Sequence, residues 1–265
     1  MKGIILAGGL GTRLGPLTAV VSKQLLPVYD KPTVYYPLST LIHAGVTDVL
    51  LISNPHHLGS YNKLLGDGSN LGIQITYAEQ PQPRGIPDAI QIGEKFLNGE
   101  RFWLILGDNL FHGPEFGREL RSRVEENSNS LIFGYHVQNP EEYGIIKFTE
   151  NQESIEKLVE KPRKHISNWA IPGIYLLDSK SLDIADNLKP SQRGELEMVD
   201  LLDALLERNS LRVRKVSRGN AWFDLGNPDS LLKAANFVQT LQTTQGLLVG
   251  DPKDAALNAQ LIQKT

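Results

Sequence analysis

Short apolar runs at residues 4–7, 49–52, 73–77 and 102–106 punctuate the first half of the chain, and longer amphipathic stretches separate them. The runs read as strands. Residues 36–44, ended by Gly45, and residues 87–97, with Pro87 in the first turn, read as helices. Such alternation is the signature of βαβ units. It predicts an α/β fold with a Rossmann-like, doubly wound and mostly parallel central sheet.

Beyond residues 131–137 the rhythm loosens. Strands are expected at 145–148, 155–159, 174–177 and 211–216, and helices at 182–187, 196–208 and 229–241. This half fits an antiparallel extension of the sheet that walls a substrate pocket. No long linker, repeat or low-complexity tract interrupts the chain, so one domain is expected over residues 1–250, divided at about residue 130. Residues 251–265 read as a short terminal helix or a loose tail.

Composition narrows the function classes. Of 265 residues, 40% are hydrophobic and 22% charged, and the formal net charge is -3. That balance argues against a general nucleic-acid binder, yet leaves room for an anionic small molecule held by a few placed cations. Cysteine is absent, which removes disulfides, thiolate catalysis and cysteine-ligated metal sites. The apolar stretch before Gly8 is too short for a signal peptide, and no run approaches the roughly 20 residues that span a bilayer. A cytosolic chain with no membrane association is expected. The six histidines show no metal-binding spacing, Trp103 reads as core, and residues 118–126 read as a solvated helix face.

The candidate chemistry starts at the strand 4–7, which opens into Gly8-Gly9-Leu10-Gly11-Thr12-Arg13-Leu14. Open α/β sheets bind ligands at such carboxyl-end turns. Glycines let backbone N–H groups approach phosphate, Arg13 supplies a planar cationic fork, and Lys23 adds a second, mobile charge. The string is neither GxxxxGK[ST] nor a full GxGxxG. Alone, it is equally a structural turn with two solvated cations. Asp108 follows the strand 102–106 at the same sheet edge and suits a Mg2+ ligand, although an aspartate there is also a common helix cap. Glu160-Lys161 alone reads as a surface ion pair, and Gly144 and Gln80 alone as turn and loop residues.

GGLGTRLGPLT followed by SKQLLPVYDKP resembles the signature of the sugar-1-phosphate nucleotidylyltransferases, and within them that of the glucose-1-phosphate thymidylyltransferases. The resemblance runs through at least Gly246. It includes Leu106-Gly107-Asp108-Asn109, Glu142-Tyr143-Gly144, Glu160-Lys161-Pro162, Arg193-Gly194-Glu195-Leu196-Glu197 and Ala221-Trp222-Phe223-Asp224-Leu225-Gly226.

The resemblance implies Mg2+-dependent transfer of a thymidylyl group from dTTP to glucose 1-phosphate, with release of pyrophosphate, for deoxysugar or cell-surface polysaccharide synthesis. Attack is in line and needs no covalent enzyme intermediate. A homo-oligomer, tetramer or dimer, is also implied. Carried over residue by residue, Arg13 and Lys23 are the catalytic cations, and Asp108 and Asp224 the metal ligands. Gly8, Gly9, Gly11, Thr12, Gln24, Gln80 and Gly85 would contact the nucleotide, Gln80 and Gly85 at its base. Gly144, Glu160 and Lys161 would hold the sugar phosphate. The nucleotide-binding part is thus expected at about 1–130 and the sugar-binding part at about 131–245.

Three stretches depart from the pattern. Arg84-Gly85-Ile86-Pro87-Asp88-Ala89 stands where these enzymes have an acidic residue, glycine and then Leu-Ala-Gln-Ala, which keeps UTP open beside dTTP. Pro172 replaces a usual threonine, which keeps other hexoses and amino-sugar phosphates open. Residues 251–265 do not match the basic, aromatic segment that forms the regulatory nucleotide site of longer members. A catalytically silent, nucleotide-sensing paralogue is disfavoured, because Arg13, Lys23, Asp108, Lys161 and Asp224 are all present. A dehydrogenase lacks its fingerprint and has Asn54-Pro55 where a ribose-binding acid would stand.

Overall fold

The apolar runs become strands and the amphipathic stretches helices in the computed structural model, which describes residues 1–113, 115–126 and 129–263. Strand β1 (Lys2–Ala7) leads through the glycine-rich turn and the short strands β2 (Pro27–Val28) and β3 (Lys31–Pro32) to α1 (Tyr35–His43). Then come β4 (Asp48–Ser53), α2 (Pro55–Leu65), β5 (Gln74–Glu79), α3 (Ile86–Ile92) and α4 (Glu94–Leu97). β6 (Phe102–Leu106), β7 (Asn109–His112), α5 (Phe116–Glu126), β8 (Ser130–His136), β9 (Gly144–Phe148) and β10 (Ile155–Glu160) follow. The chain continues through β11 (Trp169–Ala170), β12 (Ile174–Leu177), α6 (Lys180–Asn187), α7 (Met198–Glu207) and β13 (Leu211–Lys215). Last are β14 (Ala221–Asp224), α8 (Pro228–Gln245) and α9 (Pro252–Asn258).

These elements form two compact units. One comprises Met1–Pro83, Trp103–Glu126 and Gly219–Thr265, and the other Arg84–Phe102 and Asn127–Arg218. The expected division at about residue 130 is sequential, whereas the chain passes back and forth, because β7 pairs with the distant β14 and α8 packs on β2 and β14.

In the first unit, β6, β1, β4 and β5 lie side by side in that order, and the β1–β4 and β4–β5 pairs are parallel. Ile4, Ile5, Val49, Leu51 and Ile52 are completely buried, as expected of parallel strands covered on both faces. A core of Val28, Tyr36, Leu110, Leu225, Ala234, Val238 and Val249 fastens α8 and the segment after it to α1. Of the segment expected as a short terminal helix or loose tail, residues 252–258 form a packed helix: Asp251 caps α9 by accepting from Asp254 N–H at 2.8 Å, and Ala255 and Ala256 are buried as α9 packs on α1. Gly250, at φ 64°, permits this return, and a Cβ there would overlap the Tyr36 ring.

In the second unit, β8 pairs antiparallel with β11 and β12, and β9 antiparallel with β10 and β11. The antiparallel expectation is modified at β13, which runs parallel to β8 from Leu211 opposite Ser130. The helix expected over 87–97 is divided at Gly93 into α3 and α4. Among the described residues, no helix is long and apolar enough to cross a membrane.

Gly250→Ala is expected to destabilise the protein by about 2–4 kcal/mol, from a forced left-handed residue and an overpacked ring. A lowered urea midpoint with an unchanged m-value would record it.

Candidate functional site

The glycine-rich turn of the first unit is shaped by what its glycines touch. A Cβ at Gly8 would overlap Gln80 Oε1, so backbone and amide meet directly, and Gln80 is itself buried after β5. Gly9 leaves room for the Lys23 stem, whose Cε would lie 3.2 Å from a Cβ at that position. Gly11 takes φ 63° before the short 3-10 turn Thr12–Leu14, and its carbonyl accepts from Thr18 Oγ1 at 2.9 Å. Thr12 and Arg13 stay exposed on that turn.

Lys23 reaches from the turn to the end of β6, where its Nζ donates to Asp108 Oδ2. Burial pulls the Lys23 pKa down, but the charge and hydrogen bond of Asp108, aided by Asp224, reverse this and leave it above its ordinary value. Burial likewise pushes the Asp108 carboxyl up, and Lys23 together with an Asn109 side-chain hydrogen bond brings it below the usual range. The two groups therefore form a stable ion pair.

Asp224 is brought beside them by the β7–β14 ribbon, in which Asp224 lies opposite Asn109 and Leu225 N–H donates to the Asp108 carbonyl at 2.9 Å. Trp222 Nε1 donates to Asn109 Oδ1 at 2.7 Å, and Asn109 Nδ2 to Asp108 Oδ1 at 3.2 Å, so the ribbon also orients the Asp108 carboxylate. Gly226 lies between Arg13 and Asp224: a Cβ there would come within 2.8 Å of Arg13 Nη2 and 3.3 Å of Asp224 Oδ1. Arg13, Lys23, Asp108 and Asp224 thus gather at one pole of the first unit.

A divalent cation suits this arrangement. The Lys23 ammonium already stands in for a cation between two carboxylates. Among the described residues, no group of three or more His, Asp or Glu side chains is arranged to hold a metal ion. A hard cation at Asp108 and Asp224 would therefore complete its shell with water and substrate oxygens, as Mg2+ commonly does.

The second unit brings Gly144, Glu160 and Lys161 together. Gly144 pairs with Glu160 across β9–β10, and a Cβ at Gly144 would sit 3.2 Å from Glu160 Oε2 and 3.1 Å from Val199 Cγ2. Lys161 follows at φ 39°, its N–H donating to the Tyr143 carbonyl at 3.0 Å and its Nζ 3.5 Å from Glu160 Oε1. Arg193, assigned no role in the sequence, joins them. Its Nη2 donates to Glu160 Oε1 at 3.2 Å and to Glu197 Oε2 at 2.6 Å, and its Nε to Glu197 Oε1 at 3.1 Å. Ser191 Oγ donates to the same Glu197 Oε1 at 2.6 Å. Only the Arg-Gly-Glu-Leu-Glu motif hinted at this network.

Gly85 has a packing reason to be glycine. It takes φ 107°, and a Cβ would overlap the Leu196 carbonyl oxygen. Within the departing segment 84–89, Arg84 Nε lies 3.3 Å from Asp88 Oδ1 of α3. Two of the histidines pack against aromatic rings, His112 edge-on to Phe237 and His136 to Trp169.

Burial pushes the Glu197 carboxyl up, but the hydrogen bonds of Arg193 and Ser191 and the charges of Arg193 and Lys161 hold it below its ordinary value. A depressed carboxylate contributes stability that is present above its unfolded pKa, about 4.3, and is lost as pH falls through the folded value. Glu197→Gln is therefore expected to be less stable than the parent at pH 7, with the gap closing at acidic pH. Urea unfolding at pH 7 and at pH 3 measures this, and a gap equal at both would deny the ion pair its role.

Comparison with known proteins gives concordant results. Residues 2–240 match the nucleotidyl transferase family. A glucose-1-phosphate thymidylyltransferase of Neisseria meningitidis is 49% identical over 93% of this chain and 85% of its own length. One from Mycolicibacterium smegmatis is 48% identical over 99% of this chain and 90% of its own. Among solved structures, a Bacillus anthracis protein assigned to the glucose-1-phosphate thymidylyltransferases, crystallised with sucrose, superposes with a TM-score of 0.85 at 33% identity. That match covers 96% of this chain and 99% of the other. A UDP-glucose pyrophosphorylase with UDP-glucose shares the fold, with a TM-score of 0.79 at 24% identity over 90% of this chain and 98% of its own.

Proposed function

We propose that this chain, which belongs to the nucleotidyl transferase family, transfers a thymidylyl group from dTTP to glucose 1-phosphate and releases pyrophosphate. The observation that carries this reading is the convergence of Arg13, Lys23, Asp108 and Asp224 beside the glycine-rich turn. Two positioned cations and two carboxylates at a phosphate-binding turn fit phosphoryl chemistry, in which charge must be neutralised and no covalent enzyme intermediate is needed. The relatives' names supply the substrates.

The nucleophile, a sugar phosphate oxygen, is already anionic, so no general base is required. Gly8, Gly9, Gly11 and Thr12 present backbone N–H groups to the triphosphate, Gln80 reads the base and Gln24 contacts the nucleotide. Asp108 and Asp224 would hold Mg2+, whose contribution when bound is to neutralise charge on the α-phosphate and the leaving pyrophosphate. Lys23, held at Asp108 in the free protein, supplies the ammonium that pairs with phosphate oxygens. Arg13 stabilises the charge that gathers in the transition state. In the second unit, Lys161 binds the sugar phosphate as a point cation, Glu160 accepts from sugar hydroxyls, Gly144 gives the sugar a backbone contact, and Arg193 is a further cation beside Glu160. The cytosol and a homo-oligomeric assembly belong to the same reading.

Arg13→Ala is expected to lower turnover roughly hundredfold or more, equivalent to about 2.7–4 kcal/mol of transition-state stabilisation. Asp224→Asn is expected to raise the Mg2+ concentration required for half-maximal rate, and an unchanged metal titration would argue against ligation. The defining assay is pyrophosphate release with Mg2+ and pairs of triphosphates and sugar 1-phosphates. Release with UTP far above dTTP would replace the thymidylyl reading by the uridylyl one, and no release with any pair would leave a silent paralogue.

A further inference from the structure

Gln24 is 1% exposed, yet one end of its amide has no partner. Its carbonyl oxygen is well supplied: Ser22 Oγ donates to Oε1 at 2.6 Å, and the Tyr61 hydroxyl lies 3.3 Å from the same atom. The Tyr61 hydroxyl also donates to Ser22 Oγ at 2.8 Å, completing a chain from Tyr61 through Ser22 to Gln24. The Nε2 group, with two N–H donors, makes no hydrogen bond among the described residues. These two donors therefore stay available to an acceptor atom of a ligand.

The surroundings say which ligand. Gln24 sits on the 3-10 turn Lys23–Leu25, directly after the lysine that pairs with Asp108, and its backbone carbonyl accepts from Val34 N–H at 2.8 Å. Its Cγ packs on Gly107, where a Cβ would lie 3.0 Å away. The unpartnered N–H groups therefore belong to the pole where the triphosphate reading places the nucleotide.

Tyr61 is fully buried on α2 and takes no part in the chemistry above. Burial raises its pKa far above the ordinary tyrosine value, so its hydroxyl stays a proton donor. An amide has two orientations that differ only in which end is donor and which acceptor. Because Ser22 Oγ accepts the Tyr61 proton, its own proton is turned to the Gln24 amide, which favours the orientation with oxygen inward.

We propose that Tyr61 and Ser22 are positioning residues that lock the Gln24 amide with its oxygen inward and its N–H donors toward the nucleotide, so that Gln24 recognises an acceptor oxygen there. This rests on Gln24 contacting the nucleotide. Tyr61→Phe keeps the ring and removes only the hydroxyl, and Ser22→Ala interrupts the chain at its middle. Each is expected to weaken dTTP binding about tenfold, the loss of one well-directed hydrogen bond, while the KM for glucose 1-phosphate stays at the parent value.

The test is calorimetric titration of dTTP with Mg2+, without sugar phosphate, into the parent, Tyr61→Phe, Ser22→Ala, Gln24→Ala and the Tyr61→Phe/Gln24→Ala double variant. Locking predicts that Tyr61→Phe weakens binding alone and adds nothing once Gln24 is alanine. An equal loss in both backgrounds, or parent-like binding by Tyr61→Phe and Ser22→Ala when Gln24→Ala is weakened, overturns the locking role alone. Parent-like binding by Gln24→Ala overturns its contact with the nucleotide, and the proposal with it.

Discussion

The first unit is organised around one buried ion pair, Lys23 with Asp108. A carboxylate at the end of a central strand, 6% exposed, is tolerable only with a cation beside it, and Lys23 is the cation the chain delivers. Removing one member of a buried pair typically costs about 3–5 kcal/mol, because the other is left uncompensated. The glycine-rich turn is shaped to make the delivery: Gly9 clears the path of the lysine stem, and Gly11 takes the left-handed turn against Thr18 and the Lys23 Cβ. The same residues that satisfy folding therefore hold a cation and a carboxylate together beside the glycine-rich turn.

The second unit solves a related problem with less burial. Glu160 and Glu197 share the Arg193 guanidinium, and Lys161 stands on the other side of Glu160. Glu197 is held by a bidentate fork and a serine, whereas Glu160 receives only one edge of the arginine and a distant ammonium. The better-satisfied carboxylate is suited to structure, and the less satisfied one retains acceptor capacity for hydroxyls.

Sequence patterning revealed the central strands because β1, β4 and β6 are continuous apolar runs, which only a strand buried on both faces requires. It placed Asp108 after β6, at the sheet edge that carries the glycine-rich turn, by strand direction alone. It gave no sign of α2, whose first turn is Pro55-His56-His57 and whose start is set by the Asn54 cap. Nor could it reveal the β7–β14 ribbon, since the register of Asn109 with Asp224 joins residues far apart in the chain and is set by packing against α8. Asp224 entered through family resemblance, not through any local pattern. Arg193 and Tyr61 were missed for the same reason: each acts through partners brought from elsewhere, Glu160 and Glu197 for one and Ser22 and Gln24 for the other.

The interleaving of the two units has a consequence for how such proteins can be recombined. The second unit is inserted into the first twice, at Arg84–Phe102 and again at Asn127–Arg218. A single cut near the middle would separate Asp108 from Asp224 and strip the first unit of α8 and α9. Exchanging the second unit between relatives would instead need four coordinated junctions, and a hybrid joined at only two would carry one unit's core residues in the other's frame. Modularity here is a property of the folded surface and not of the linear chain.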